Sequence, residues 1–299
     1  MLPNLVLLLA MSAAWAAGYL FIGAAAHVPP VTATAIMTGI AAIVVLTGVR
    51  IARRRPLLPT LRTRPWVPLV MGMSAIVIPN LTVVLAEHTV PPDVAALVGT
   101  TVPIATILLT TFVTHETPLS FLRLSGVFVA LAGLAVFVGP GNLLSHPGEL
   151  AGIAIMMSGG LVFALNGLFA ARQTRDLDAS VLSAWTLLFG AIYLGVAAFA
   201  LEDPMASNPG AAIWALIAEG TLGMGLAYLG YYVLVARAGP GFASLYAFLV
   251  PVLGVLATAA VYGHPVTPGH LAGLTGVLLG LLLVTQADRL RRLTGLARH

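Results

Sequence analysis

The sequence predicts an all-α membrane protein with ten transmembrane helices, arranged as two inverted five-helix repeats with both termini in the cytoplasm. Hydrophobic residues make up 59% of the 299 residues and charged residues only 8%, whereas about 25% of residues are charged in soluble domains. The apolar residues form blocks of about 20 residues, the length of a membrane-crossing helix. Because lipid offers no partner to a free backbone amide, such blocks have to be helices.

Apolar runs bounded by charges, proline and glycine define the ten spans. By residue number they are 3–26, 31–50, 66–86, 93–113, 119–139, 149–171, 179–200, 211–235, 241–262 and 268–286. The connectors are short and rich in turn-forming residues, so a single membrane domain is expected. The first run could be mistaken for a secretory signal, but it lacks a basic start and continues to about Ala26.

Every basic residue besides histidine is an arginine, and the arginines fall on one set of connectors. They follow spans two, four, six, eight and ten, as Arg50, Arg53, Arg54, Arg55, Arg62, Arg64, Arg123, Arg172, Arg175, Arg237, Arg289, Arg291, Arg292 and Arg298. The connectors after odd-numbered spans carry none. By the positive-inside rule, this pattern predicts a multi-pass protein of a bacterial-type inner membrane with both termini in the cytoplasm.

The second half of the chain repeats the first at a shift of 148 residues. The rarer residues that coincide are Trp66 with Trp214, Gly72 with Gly220, Pro92 with Pro240 and Pro103 with Pro251. Five spans is an odd number, so the second copy has to enter the membrane in the opposite orientation, an arrangement common in secondary transporters. The predicted organisation is a first repeat at 1–147, a second at 148–287 and a basic cytoplasmic tail at 288–299.

Two passages carry a resemblance to a known family. They are AYLGYYVLVARAGPGFASLYAFLVPVLGVL, starting at Ala227, and HETPLSFLRLSGVFVALAG, starting at His115. With the duplicated topology, and with Trp15 in the first span and Asn166 near the equivalent point of the sixth, the chain resembles the EamA-type branch of the drug/metabolite transporter superfamily. Its nearest match there is the ten-helix bacterial amino-acid and metabolite exporters of the YddG type. A glutamate usually follows the fourth helix of each half in this family; Glu116 fits, but His264 stands in the second position.

The sequence lacks the motifs of ATP-driven or hydrolytic enzymes, so no enzyme activity is expected. With no cysteine and histidines mainly in connectors, no metal or other cofactor is predicted. Polar and aromatic side chains at mid-span depth are the candidates for substrate binding, because lipid exposure there would be costly. They are Trp15, Asn80, Thr101, Asn166, Trp185, Tyr228 and Tyr246, with Phe163 in the same aromatic group. For each ring, ordinary helix packing is the alternative.

Glu219 is the only ionisable side chain well inside an apolar span. It is a candidate proton-coupling carboxylate or partner of a substrate ammonium, or alternatively a group that reaches the outer interface. Pro103 and Pro251 are candidate hinges or static kinks, because proline removes a helix hydrogen bond.

We therefore expect a secondary transporter that exports amino acids or related neutral or zwitterionic metabolites by alternating access. No arginine or lysine lies in the middle of a predicted span, which argues against phosphorylated substrates. The alternatives are an exporter of other metabolites or of cationic drugs, and a non-transporting membrane scaffold. The expected partners are a small-molecule substrate and the lipid bilayer, without nucleic acid, and the protein is expected to be a monomer.

Overall fold

A computed structural model describes residues 2–25, 27–51, 57–86, 89–90, 92–114, 120–138, 149–205, 209–263 and 266–293. Within these residues the secondary structure is helical, with short turns and no strand. The expected all-α class is confirmed. The candidate residues Glu116 and His264 lie outside the described part, as do Arg53, Arg54 and Arg55.

The α-helices follow one another along the chain with few connecting residues. They are α1 Leu2–Ala16, α2 Gly18–Ala25, α3 Pro30–Ile51, α4 Leu58–Thr63, α5 Trp66–Met71, α6 Ile78–Ala86, α7 Pro92–Gly99, α8 Thr101–Phe112, α9 Phe121–Val138, α10 Glu149–Gln173, α11 Ala179–Leu201, α12 Ile213–Glu219, α13 Ala227–Ala238, α14 Pro240–Ala243, α15 Tyr246–Tyr262 and α16 Pro268–Leu293. A π-helical turn at Gly72–Val77 joins α5 to α6, and another at Gly220–Leu226 joins α12 to α13. A 3₁₀ turn, Pro209–Ala212, precedes α12.

Among the described residues, six helical stretches are long and apolar enough to cross a bilayer. They are Pro30–Ile51, Trp66–Ala86, Leu150–Gln173, Ala179–Leu201, Ile213–Ala238 and Pro240–Tyr262. Shorter apolar helices accompany them at Leu2–Ala16, Thr101–Phe112, Phe121–Phe137 and Pro268–Val284. The chain is therefore a multi-pass membrane protein, while the count of ten spans stays a prediction.

Among the described residues, three of the predicted spans are interrupted by a short break in the helix. The first breaks at Ala17, between α1 and α2, the fourth at Thr100, between α7 and α8, and the ninth at residues 244–245, between α14 and α15. A glycine adjoins the first two breaks, Gly18 and Gly99, and glycine is about 1 kcal/mol less favourable than alanine within a helix. The last helix instead runs further than expected, because residues 288–293 of the predicted tail continue α16.

The two π turns occupy equivalent places in the two halves, starting at Gly72 and Gly220. Such turns release backbone groups from the regular ladder and are frequent at functional sites. The turn at Gly72 packs against Gly190. A Cβ added at Gly72 would lie 2.9 Å from the Gly190 amide nitrogen. A Cβ at Gly220 would lie 2.7 Å from the Met37 carbonyl oxygen. Both positions therefore require glycine for the close approach of a neighbouring helix.

Helix packing also follows the repeat. The helix α9 packs along α16, and α3 packs along α11. In both pairs, the two partners are equivalent helices of the two halves. The helix α1 contacts α13 and α15, while its counterpart α10 contacts α6 and α8. In the same way, α3 packs on the π turn of the second half and α11 on that of the first. Each of these contacts in one half thus has its equivalent in the other.

Glycines determine how closely α9 and α16 approach. A Cβ added at Gly126 would lie 2.8 Å from the Gly280 carbonyl oxygen. One added at Gly133 would lie 2.6 Å from the backbone carbonyl carbon of Gly276. Small residues of this kind are what bring membrane helices into backbone contact, because lipid supplies no hydrophobic drive for their association.

Polar contacts join connecting segments to other parts of the chain at two places. The Glu202 carboxylate accepts hydrogen bonds from the amides of Val31, at 2.9 Å, and Thr32, at 2.7 Å. It thereby satisfies amides at the start of α3, where a negative charge also complements the helix dipole. On a different connector, Arg64 forms a 2.7 Å ion pair with Asp176.

Candidate functional site

A cavity of about 280 Å³ lies between α1, α6, α10, α13 and α15. This volume is close to the lower end of the range of about 300–1,000 Å³ found for small-molecule pockets. The polar and aromatic side chains that line it are Trp15, Asn80, Phe163, Tyr228 and Tyr246, and the remaining lining is apolar or glycine. Four of these five were predicted as substrate-binding residues, and Phe163 was assigned to the same aromatic group. We call this space the aromatic cavity.

Trp15 is the centre of the ring contacts around the aromatic cavity. Its ring centroid lies 4.3 Å from that of Tyr246 and 5.3 Å from that of Tyr228, which it meets edge-on. Phe163 lies across the cavity, 6.1 Å from Tyr246 and 6.3 Å from Tyr228. Aromatic pairs at about 4.5–7 Å stabilise one another beyond their buried area. The rings therefore form one mutually supported wall.

Helix ends bring these rings together. Trp15 lies in the last turn of α1, next to the break at Ala17, and Tyr246 is the first residue of α15. Tyr228 begins α13 directly after the π turn Gly220–Leu226. Non-regular backbone at membrane depth is tolerated only where protein or a cavity covers it. The breaks and the π turn thus coincide with the cavity that they border.

Tyr228 also makes a polar contact with the first half of the chain. Its hydroxyl donates a 3.1 Å hydrogen bond to the Ala75 carbonyl in the π turn Gly72–Val77. Pro79 has no N–H to offer the carbonyl four residues before it. Next along the helix, the Asn80 amide donates to the Ile76 carbonyl at 2.7 Å. Side chains therefore supply donors to the carbonyls at this irregular point.

A second cavity of about 440 Å³ adjoins the first. Asn80 and Val83 line both cavities, so these two side chains form the boundary between them. Apolar residues of α2, α3 and α12 make most of the wall, and the other polar side chains are Thr34 and Glu219. We call this space the acidic cavity, because Glu219 is its charged residue.

The Glu219 carboxylate is enclosed by glycines. An added Cβ at Gly18 would lie 2.9 Å from Glu219 Oε1, and a Cβ at Gly223 would overlap the carboxylate. The atom Oε2 is buried and has no hydrogen-bond partner among the described residues. A buried carboxylate without a partner is energetically costly and typical of functional sites in membrane proteins. Glu219 thus lines the acidic cavity, and its role in proton coupling or substrate binding stays a prediction.

Asn166 and Trp185 do not line either cavity. The Asn166 amide donates to Ser74 Oγ at 2.9 Å, and its Oδ1 accepts from the Tyr232 hydroxyl at 3.1 Å. The Trp185 indole donates to the Leu57 carbonyl at 3.0 Å, which ties α11 to the connector before α4. Their part in substrate binding stays a prediction.

Thr101 and the two candidate hinges lie near the aromatic cavity without lining it. The Thr101 hydroxyl donates to the Val98 carbonyl at 2.7 Å, within its own turn. Pro103 is buried in α8 shortly after the break at Thr100, and Pro251 is buried within α15. The hinge assignment also stays a prediction.

Sequence reasoning missed two contributors. Thr34 lines the acidic cavity from α3, but an isolated threonine in an apolar helix carries no distinguishing pattern. Gly160 lines the aromatic cavity, where an added Cβ would lie 3.2 Å from a Val102 methyl group. The adjacent pair Gly159 and Gly160 within a predicted span was a signal for close approach.

Comparisons with known proteins agree with this architecture. YedA of Escherichia coli K12, described as an uncharacterized inner membrane transporter, is 25% identical over 219 residues, which cover 72% of this chain and 69% of YedA. YoaV of Bacillus subtilis 168, described as an uncharacterized transporter, is 26% identical over 156 residues, or 52% and 53% of the two chains. One crystal structure matches with a TM-score of 0.83 at 20% identity, over 96% of this chain and 98% of that one.

The family assignment comes from both halves of the chain. A sequence model described as the EamA-like transporter family matches residues 2–139 and 150–286. The two matches cover most of the sequence and contain every residue that lines the two cavities. The chain therefore belongs to the EamA-like transporter family.

Proposed function

We propose that this membrane transporter is a secondary exporter of amino acids or related small neutral or zwitterionic metabolites. Substrate would bind in the aromatic cavity between the two halves and be released by alternating access. The observation that carries the proposal is the cavity itself, about 280 Å³ in volume and walled by Trp15, Phe163, Tyr228 and Tyr246. Its rings offer apolar contact, and Asn80 offers an amide that can both donate and accept hydrogen bonds.

The proposed topology is ten spans in two inverted repeats, with both termini in the cytoplasm. The equivalent helix contacts of the two halves support it, as do the π turns that start at Gly72 and Gly220. The arginine pattern supports the orientation. The repeats would comprise residues 1–147 and 148–287, and alternating access would rock one against the other.

Pro103 and Pro251 are proposed as the hinges of this motion. Each lies in an equivalent helix of its half, α8 and α15, and each is buried next to a cavity-lining residue, Val102 or Val250. Because proline leaves a carbonyl without its helical donor, bending at these points breaks fewer hydrogen bonds than elsewhere.

The charge of the lining supports the proposed substrate class. No arginine, lysine or histidine is among the residues that line either cavity. A phosphate or a free carboxylic acid would have to be buried there without a cationic partner, which is unfavourable. Neutral or cationic small molecules do not meet this cost, and in a zwitterion the ammonium of the molecule itself offsets the charge of its carboxylate.

Reconstitution tests the proposal directly. The purified protein is placed in liposomes and tested for saturable counterflow of a panel of radiolabelled amino acids. We expect saturable flux of at least one member, and loss of it in a Trp15→Ala variant. If no member is transported by protein that elutes as a single folded species, the amino-acid assignment is wrong.

A scaffold role makes a different prediction. In that case, substitutions at Trp15, Phe163 and Tyr246 would leave the cellular phenotype of the intact gene unchanged as long as the protein still folded. A transporter would lose the phenotype together with the flux.

A further inference from the structure

The acidic cavity contains acceptors of hydrogen bonds but no cation. Its polar side chains are Thr34, Asn80 and Glu219, and no basic residue is among those that line it. Thr34 Oγ1 donates to the Pro30 carbonyl at 2.7 Å, and the Asn80 amide donates to the Ile76 carbonyl at 2.7 Å. Besides these donors, the hydroxyl oxygen of Thr34 and the amide oxygen of Asn80 can each accept a hydrogen bond. All three side chains can therefore present oxygen atoms to the same space.

Nothing on the neighbouring elements neutralises Glu219. It is packed by α2, α3 and the π turn Gly220–Leu226. The described side chains of these elements include one basic group, Arg50, which lies exposed in the last turn of α3, far along the helix from Thr34. The atom Oε2 has no hydrogen-bond partner among the residues that the structure describes. An ionised carboxylate at this depth needs a partner, and the described side chains supply none.

The surrounding backbone is shaped for the carboxylate. Gly18 and Gly223 both lie where a Cβ would collide with the Glu219 side chain. The carboxylate therefore lies between α2 and the next turn of its own helical stretch, and it lines the acidic cavity. This position keeps its charge beside the cavity, which is where a ligand can meet it.

The aromatic cavity lies within reach of this carboxylate. Gly18, whose added Cβ would meet the Glu219 carboxylate, is only three residues beyond Trp15 in the chain. Asn80 and Val83 border both spaces. A molecule of amino-acid size can thus place one end near Glu219 and the other against the rings. The faces of the rings also attract cations.

We propose that Glu219, with the oxygens of Thr34 and Asn80, is a binding site for the ammonium group of the substrate. An ammonium carries three N–H donors and no acceptor, which matches a cavity that offers three acceptor groups. The transported molecules are therefore primary amines, as zwitterions or as cations, with an apolar part directed to the aromatic cavity. This inference rests on the proposed transport function.

Equilibrium binding to the full-length protein in nanodiscs tests the proposal. The probes are two pairs, each made of an amine and its acetylated form with the same hydrocarbon group. The first pair is phenethylamine and N-acetylphenethylamine, and the smaller pair is isopentylamine and N-acetylisopentylamine. We expect each amine to bind at least tenfold more tightly than its acetylated form. Glu219→Gln should remove this preference, because it weakens the binding of the amines at least tenfold and leaves the weak binding of the acetylated probes unchanged.

Two further variants provide the controls. Asp176→Asn removes a negative charge at an exposed position outside both cavities and should leave the preference intact. Glu219→Asp keeps the charge but withdraws it from the cavity, and should give an intermediate preference. If Glu219→Gln melts at a much lower temperature than the parent, the Glu219→Asp result decides the question.

The outcomes separate this inference from the transport function. If Glu219→Gln binds amines as tightly as the parent, or if the acetylated probes bind as tightly as the amines, the ammonium site is wrong even where flux is present. A variant that loses proton-driven flux of amine and acetylated probes alike would show that Glu219 binds a proton only, and would also overturn the inference. Absence of any flux in liposomes, with the amine preference intact, would instead contradict the proposed transport function.

Discussion

The Tyr228 hydroxyl donates a 3.1 Å hydrogen bond to the Ala75 carbonyl, and so joins two elements that lie 153 residues apart in the chain. Ala75 belongs to the π turn Gly72–Val77, and Tyr228 follows the equivalent turn of the other half. The same tyrosine ring forms part of the aromatic cavity. One side chain thus connects an irregular helix of the first half to the wall of the candidate substrate site.

Replacing Tyr228 with phenylalanine should weaken both the fold and transport. The ring and its contact with Trp15 remain, but the Ala75 carbonyl loses its donor, at a cost of about 1–3 kcal/mol for a buried unsatisfied group. We expect a lower melting temperature in detergent and reduced flux in liposomes. Tyr193→Phe is the matched control, since Tyr193 lies in α11 outside both cavities. Equal melting and flux in the two variants would contradict the assigned role of the hydrogen bond.

Trp15→Leu should weaken substrate binding more than folding. The variant loses ring contacts with Tyr228 and Tyr246, each worth about 0.5–1.5 kcal/mol. We expect the half-saturation concentration for flux to rise on the order of tenfold, which is about 1.4 kcal/mol, and Trp15→Phe to restore part of the loss. Trp66→Leu serves as the control, because Trp66 is half-exposed and borders neither cavity. The prediction fails if both tryptophan variants shift the half-saturation concentration equally.

Gly133→Ala should destabilise the pairing of α9 with α16. The added Cβ would lie 2.6 Å from the backbone carbonyl carbon of Gly276, so the helices have to separate. Overpacking of this kind costs about 1–3 kcal/mol, and we expect a clear drop in melting temperature. Gly39→Ala in α3 is the control, since no heavy atom lies within 4 Å of its added Cβ. That variant should melt at or above the temperature of the parent, because alanine favours the helix.

Asn166→Leu should separate structural from binding roles. Asn166 bridges Ser74 and Tyr232 and is only 2% exposed, so its loss leaves buried polar groups unpaired. We expect a destabilisation of about 1–3 kcal/mol in denaturation experiments, with the order of substrate preference unchanged. A changed order of preference in a stably folded Asn166→Leu protein would show that Asn166 contributes to substrate binding.

The proposed topology is open to cysteine labelling, because the chain has no native cysteine. Single cysteines are introduced at His27 and Asp203, after the first and seventh predicted spans, and at Arg62 and Arg175, after the second and sixth. We expect a membrane-impermeant maleimide to label the first two in intact cells and the last two only after permeabilisation. Labelling of all four from the same side would contradict the ten-span arrangement.

The aromatic residues illustrate what can be predicted from local sequence. Trp15, Tyr228 and Tyr246 lie at mid-span depth, where aromatic residues are unusual, and the structure places them around one cavity. Trp185 met the same criterion but bonds the Leu57 carbonyl outside both cavities. Depth along a span follows from residue number, whereas the direction in which a ring points depends on the rotation of its helix against its neighbours. That rotation is decided by packing contacts between segments far apart in the chain.

Local features of the sequence are sufficient for the helical class, the membrane environment and the family, because the length of an apolar run and the satisfaction of backbone groups do not depend on distant contacts. The duplicated prolines, glycines and tryptophans also make the repeat visible at 148 residues. The place of Glu219 between Gly18 and Gly223 beside a cavity, and that of Asn80 at the border of two cavities, follow from three-dimensional packing instead. These relationships depend on breaks and π turns that set the approach of whole helices, and no short stretch of sequence specifies such an approach.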